Sequence, residues 1–164
     1  MARQTYVCGF LFDRNFENVL LIRKNRPEKQ KGRLNGVGGK VEDGETFRQA
    51  MEREFREEAG ITISGDAWNE CVELVGPDYE VNFYWYFGDL SEAKSMTDEP
   101  LEIHRVDSLI GNKDVLTNLK WIIPRCFDRT LHTTRAVELR YYIDKVATFK
   151  QEDPDQALDR FNKA

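Results

Sequence analysis

No stretch of the 164 residues approaches the roughly 20 consecutive apolar positions that span a bilayer, so no membrane partner is expected. The N-terminus shows no charged segment followed by an apolar one, and the protein is read as cytoplasmic. Cysteine is scarce. Cys8, Cys71 and Cys126 are odd in number, widely spaced and in no CxxC pair that would suggest zinc or redox work, and they read as small buried hydrophobes. The two histidines, His104 and His132, have no partner at ligand spacing and stay outside the expected site. Lys and Arg number 24 against 29 Asp and Glu, for a net charge of -5, and they form no dense basic run. Long nucleic acid is therefore not an expected partner. A small molecule is, and a homodimer stays open.

Forty per cent of the residues are hydrophobic and 32% charged, the balance of one globular domain, so 1–164 is read as a single domain. A chain of this length buries roughly 70% of its unfolded surface and needs no structural metal. Any metal would then serve chemistry.

Tyr6–Phe12 and Val19–Arg23 are apolar runs separated by Asp13-Arg14-Asn15, the composition of strand, turn and strand. Lys24–Gly39 contains Arg26-Pro27, Lys31-Gly32 and Gly36, Gly38 and Gly39, and reads as a loop ending in a tight turn. Thr46 with Gln49 forms a capping box and Gly60 is placed to terminate a helix, which predicts helix from about Thr46 to Ala59. Cys71–Val75 and Val81–Phe87 read as a hairpin about Gly76-Pro77-Asp78. Ser91–Pro100 is expected as loop and Leu101–Val106 as strand. Asp114–Ile123 has helical spacing at Val115, Leu119 and Ile122, and Pro124 is expected to stop that helix. Val137–Ile143 suits strand or helix, and Asp153-Pro154 opens a short terminal helix.

The first helix carries the chemistry. Projected at 100° per residue, Phe47, Ala50, Met51 and Phe55 form its apolar stripe, with Arg48, Gln49, Glu52, Arg53 and Arg56 opposite. Glu54, Glu57 and Glu58 carry the inward side onward at spacings of three and four, which brings three carboxylates together. Like charges so placed raise one another's pKa unless a cation neutralises them. Oxygen donors without His or Cys favour a hard divalent ion such as Mg²⁺, which commonly shares its coordination with substrate phosphates. The other reading is a solvated acidic helix end.

Read outward from that helix, the chain has Gly39, Glu45, Arg53-Glu54-Phe55, Glu57-Glu58 and Gly60-Ile61 at the spacings of the Nudix box. Seven fixed letters at those spacings would occur by chance less than about once in 10⁷ positions. The box covers 39–61, and the strand, loop and helix context resembles a Nudix domain from Tyr6 to about Ile123. Residues from about 125 form a C-terminal extension beyond the resemblance.

The resemblance implies an α/β fold, an α/β/α sandwich with a mixed sheet, that hydrolyses a nucleoside diphosphate linked to a further group with Mg²⁺ or Mn²⁺. It implies Glu54, Glu57 and Glu58 as metal ligands with the Gly38 carbonyl, and Arg53 with Glu45 as a buttress of the helix and loop. A base would come from Glu54 or Glu57 in the box, or from Glu99 or Glu102 in a later loop, with Glu99 preferred. Lys24 and Lys40 are candidates for phosphate contact.

Gly32-Arg33-Leu34-Asn35-Gly36-Val37-Gly38-Gly39-Lys40 is similar to the MutT-like group that hydrolyses oxidised purine nucleoside triphosphates, where the Asn reads the base. An amide at Asn35 offers a donor and an acceptor to a purine edge. Phe83, Trp85, Phe87 and Trp121 are candidates for stacking, and Asp114 and Asn118 for base contact, though the aromatics serve equally as core. Pro77 resembles a mark of ADP-ribose-type members and Tyr79 one of diadenosine polyphosphate members, and the two disagree. The expected activity is cleavage of a purine nucleoside triphosphate to monophosphate and pyrophosphate. Alternatives are hydrolysis of ADP-ribose or a dinucleotide polyphosphate, and a non-catalytic nucleotide-binding module. An RNA cap-removing enzyme is disfavoured by the net charge.

Overall fold

The computed structural model describes residues 3–128 and 137–140. A seven-stranded mixed sheet is built from β1 (Gln4–Phe12), β2 (Asn18–Arg23), β3 (Leu34–Asn35), β4 (Asn69–Val75), β5 (Tyr79–Phe87), β6 (Leu101–Arg105) and β7 (Val137–Arg140), with helices α1 (Phe47–Ala59) and α2 (Leu119–Phe127). The strands run β3-β2-β1-β5-β4-β7, with β6 also paired to β2. β1 lies parallel to β5 and β4 parallel to β7, while β1 with β2, β2 with β3, β2 with β6 and β4 with β5 are antiparallel.

β1 is apolar on both faces because both are covered. Val7 and Leu11 join Ala50, Met51, Phe55 and Ala59 of α1, whereas Cys8, Phe10 and Phe12 join Leu119, Ile122 and Ile123 of α2. β2 alternates in the same way, with Leu20 and Ile22 toward α1 and Val19 and Leu21 toward α2. The α/β/α sandwich expected from the resemblance is the observed architecture. Gly9 allows the close approach on the α1 side, since a Cβ there would lie 2.7 Å from the Met51 methyl carbon.

Thr46 caps α1 through the full capping box with Gln49, and Gly60 ends it at φ 70°. The second helix departs from expectation. Asp114 to Asn118 is not helical: Leu34 N–H donates to the Asp114 carbonyl, Leu116 N–H donates to the Leu34 carbonyl, and Val115 pairs beside Leu34. Val115 reaches the core from this extended segment, so its spacing from Leu119 and Ile122 was not a helical period. Pro124 does not stop α2 but lies inside it. The burial of Leu119, Ile122 and Ile123 outweighs the one helix hydrogen bond a proline cannot make.

Within the stretch read as loop, Leu34–Asn35 forms the short β3, which β2 recruits through Leu34, a fully buried core residue. The described part of Val137–Ile143 is strand. His132 and the helix expected at Asp153-Pro154 lie outside the described residues. Among the described residues no helix is long and apolar enough to cross a membrane.

Candidate active site

The glycine-rich turn after β3 is clamped against β1. Val37 exchanges backbone hydrogen bonds with Gly9, and Val7 N–H donates to the Gly39 carbonyl. Gly38 between them sits at φ 156°, where a Cβ would lie 2.2 Å from the Val7 carbonyl oxygen, so any side chain would force the turn off the strand. At Gly39 a Cβ would fall 2.5 Å from Glu54 Oε1. The missing side chains let the acidic helix approach this turn. Glu54 lies over Gly39, and Glu58 Oε2 accepts from Gly38 N–H at 3.1 Å.

Arg53, placed on the solvent side by the helical projection, is instead mostly covered. Its guanidinium donates to both Glu45 oxygens at 2.7 and 2.9 Å, to Glu54 Oε1 at 2.8 Å, to Glu57 Oε2 at 3.2 Å and to the Lys40 carbonyl at 3.0 Å. One cation thus joins the turn, the segment before α1 and two box glutamates. Hydrogen bonding to Arg53 holds the Glu45 carboxyl below its usual range. Glu57 lies at the edge of the cluster with its side chain 54% exposed.

Burial pushes Glu54 up, with Arg53 opposing, and pushes Glu58 up to about 7, with Lys24 and the Gly38 amide opposing and Glu54 and Glu99 adding to the rise. Among the described residues no three carboxylates converge in a ready-made cation cage, because Arg53 draws Glu54 and Glu57 to itself while Glu58 turns to Gly38. The donor set nevertheless suits a hard cation, being all oxygen, and its two inner carboxylates carry a desolvation penalty that such an ion would relieve.

Beside the turn opens a cavity of about 530 Å³ whose wall includes Gly36, Gly38 and Gly39. Lys24, Asn35, Phe83 and Asn118 line it, as do Cys8, Gln30 and Tyr79. The parallel pairing of β1 with β5 places Cys8 beside Phe83. Asn35 Oδ1 accepts from Gly36 N–H at 2.8 Å and from the Cys8 thiol at 3.6 Å, while its Nδ2 donates to Gln30 Oε1 at 3.4 Å. Because a backbone N–H can only donate, the Asn35 oxygen is assigned to that side and the amide nitrogen to the cavity. Asn35 therefore offers chiefly a donor.

The other candidates stand elsewhere. Trp85 packs on Phe16 and Phe87, Trp121 sits on α2 away from the cavity lining, and exposed Lys40 contributes its carbonyl to Arg53. Asp114 pairs with Arg23 at 3.0 Å, and its carbonyl accepts from Arg33.

Glu99 is 3% exposed, the one buried acid among the described residues. Its Oε1 accepts from Asn25 N–H at 2.6 Å and Arg26 N–H at 3.2 Å, and its Oε2 takes the Lys24 ammonium at 2.5 Å. Burial pushes this carboxyl up, but Lys24 and the two amides prevail and hold it below its usual value. Glu102 is held low first by its hydrogen bonds with Arg23, and His104 adds to this. Cys8 and Gln30 were not singled out from the sequence. Cys8 reads as an ordinary strand residue until β5 is laid beside it, and Gln30 as one polar residue of a loop.

The NUDIX domain family model matches residues 2–127. The chain is 30% identical over 94 residues to the 8-oxo-dGTP diphosphatase of Escherichia coli (strain K12), an alignment covering 57% of this chain and 72% of that protein. Over 32 residues, a fifth of each chain, it is 56% identical to the oxidized purine nucleoside triphosphate hydrolase of Danio rerio. The MutT NUDIX hydrolase from Burkholderia pseudomallei superposes with a TM-score of 0.63 at 19% identity, covering 76% of this chain and 98% of that one, a likeness of fold. With the match spanning β1 to β6, the glycine turn and the acidic helix alike, the chain belongs to the NUDIX domain family as a MutT-like hydrolase.

Proposed function

We propose that this enzyme cleaves a purine nucleoside triphosphate, including one with an oxidised base, to the monophosphate and pyrophosphate. The observation that carries the reading is shared glycines: Gly38 and Gly39 line the cavity that Asn35 also lines, and the same two glycines meet Glu58 and Glu54. A base held near Asn35 and Phe83 would extend its phosphates past Lys24 toward the acidic helix. The similarity to the Escherichia coli 8-oxo-dGTP diphosphatase supports the same substrate class.

In this reading Glu54, Glu57 and Glu58, with the Gly38 carbonyl, hold Mg²⁺ or Mn²⁺, and Arg53 with Glu45 orients them. The ion would neutralise charge developing on the phosphate oxygens and acidify the attacking water. Lys24 contributes positive charge at the cavity wall. The proton acceptor is assigned to a box glutamate, because Glu99 and Glu102 are held low by ion pairs that make them weak bases. Glu99 instead secures Lys24 and the backbone of Asn25 and Arg26.

A panel of nucleoside triphosphates, ADP-ribose and dinucleotide polyphosphates, supplied with Mg²⁺ or Mn²⁺ and read by product mass, tests the assignment. Preference for ADP-ribose or a diadenosine polyphosphate over every nucleoside triphosphate would overturn it, and no turnover at all would favour a binding module. Asn35→Ala removes the donor and is expected to cost about 1 to 3 kcal/mol of discrimination between modified and ordinary guanine nucleotides, with metal affinity retained. An unchanged substrate profile would refute that role. Arg53→Lys keeps the charge but not the fork, and is expected to weaken metal affinity by about 10- to 100-fold, seen as a higher Mg²⁺ requirement at unchanged helix content. An unaltered requirement would leave Arg53 a merely structural part.

A further inference from the structure

Cys71 and Cys126 are 55 positions apart in sequence, yet their sulfurs lie 3.1 Å from each other. Cys71 is buried in β4, and Cys126, near the end of α2, is partly covered. Both thiols also face the carbonyl of Ile122, at 3.7 and 3.5 Å. Neither thiol belongs to the acidic helix, the glycine turn or the cavity lining. We infer that Cys71 and Cys126 are a modification site, a thiol pair that a peroxide converts to an intramolecular disulfide fastening α2 to β4.

The two sulfurs have little distance to close. A disulfide has a sulfur separation of ~2.05 Å, so closure moves the two sulfurs about 1 Å together. The more accessible Cys126 attacks the peroxide, its sulfur bonding one oxygen as the O–O bond breaks and the other oxygen leaves as water. The sulfur of Cys71 then attacks that of the resulting Cys126 sulfenic acid, and the S–O bond breaks to release a second water. Two thiols lose two protons and two electrons, and one peroxide becomes two waters. Burial raises the Cys126 thiol well above its ordinary value, so little thiolate is present and the first step is slow in the folded protein.

The bond would join two elements that each contribute to the cavity. β4 lends Leu74, while Asn118 at the N-cap of α2, and Leu116 just before it, also line it. A covalent tie behind them would hold that wall in one position. The third thiol, Cys8, sits in the cavity wall against Asn35 and serves as the internal comparison.

The test is treatment of the full chain with hydrogen peroxide, followed by intact mass, peptide mapping without reductant and thermal melting. The expected product is a monomer lighter by two hydrogens, with a Cys71–Cys126 linked peptide and free Cys8. Its melting temperature should rise by about 5 °C or more and return with dithiothreitol. Cys126→Ser and Cys71→Ser should each abolish the mass loss and the rise. A linkage through Cys8, a disulfide only between chains, or both thiols remaining free in folded protein would overturn the inference. A linked monomer whose melting is unchanged would overturn the fastening of α2.

Discussion

Glu58→Gln is expected to lower turnover by about 10²- to 10⁴-fold while leaving the fold intact, the range for losing a group that handles the metal or the proton. The substitution keeps the shape and the acceptor for Gly38 N–H but removes the charge. It also removes a carboxylate that burial makes costly to ionise, so the metal-free variant should be at least as stable as the parent at pH 8. Glu57→Gln, on the more exposed neighbour, should lower turnover through metal affinity with little change in melting. Turnover measured against Mg²⁺ concentration separates the cases, since a lost ligand raises the metal requirement and a lost proton acceptor lowers the rate at saturation. Full activity of Glu58→Gln would remove the acidic helix from the mechanism.

Stability of the metal-free protein should fall as pH rises from about 5 to 7.5. Glu58 is pushed up to about 7 from an ordinary 4.5, so within that window the folded state holds a proton that the unfolded chain has released. Stability therefore declines with rising pH, by roughly 3 kcal/mol across the full shift, and Glu54 acts in the same direction. Glu45, Glu99 and Glu102 have the opposite sign. Their stabilisation is present above the ordinary carboxylate value and is lost as pH falls through their lowered ones, in a separate acid window. In the proposed reading a cation would be held by the ionised glutamates only, so Mg²⁺ should raise the melting temperature at pH 8 and scarcely at pH 5. Melting curves with and without Mg²⁺ decide this. Equal stabilisation at both pH values would contradict the linkage, as would metal-free protein that grows more stable toward neutrality. In Glu58→Gln most of the pH slope should disappear.

These expectations rest on features legible to different degrees in the chain. α1 was readable almost to the residue, because its capping box and terminating glycine act over three or four positions. The strands β1, β2, β4 and β5 followed from apolar runs and turn residues, which are also local. The first half of the helix expected over Asp114–Ile123 is not helical for the complementary reason, since Val115 answers to Leu34, a partner 81 positions away, while Leu119–Ile123 is helix as expected. Pro124 obeyed the packing of α2 and not its own preference.

The site divides along the same line. The charge and spacing of Glu54, Glu57 and Glu58 belong to the sequence, because helical spacing is short-range geometry, whereas Gly38 and Gly39 must lack side chains because the fold brings Val7 and Glu54 against them. The fold decided which groups remain available for chemistry. It gave the oxygen of Asn35 to Gly36 and Cys8, enclosed Glu99 between Lys24 and two backbone amides, bound Glu102 to Arg23 and brought Cys71 against Cys126. Most of these pairs are 27 to 79 positions apart in the chain. Their partners are chosen by strand order and burial, and burial sets what a buried carboxylate or amide must bond to, so no local pattern in the sequence contains that choice.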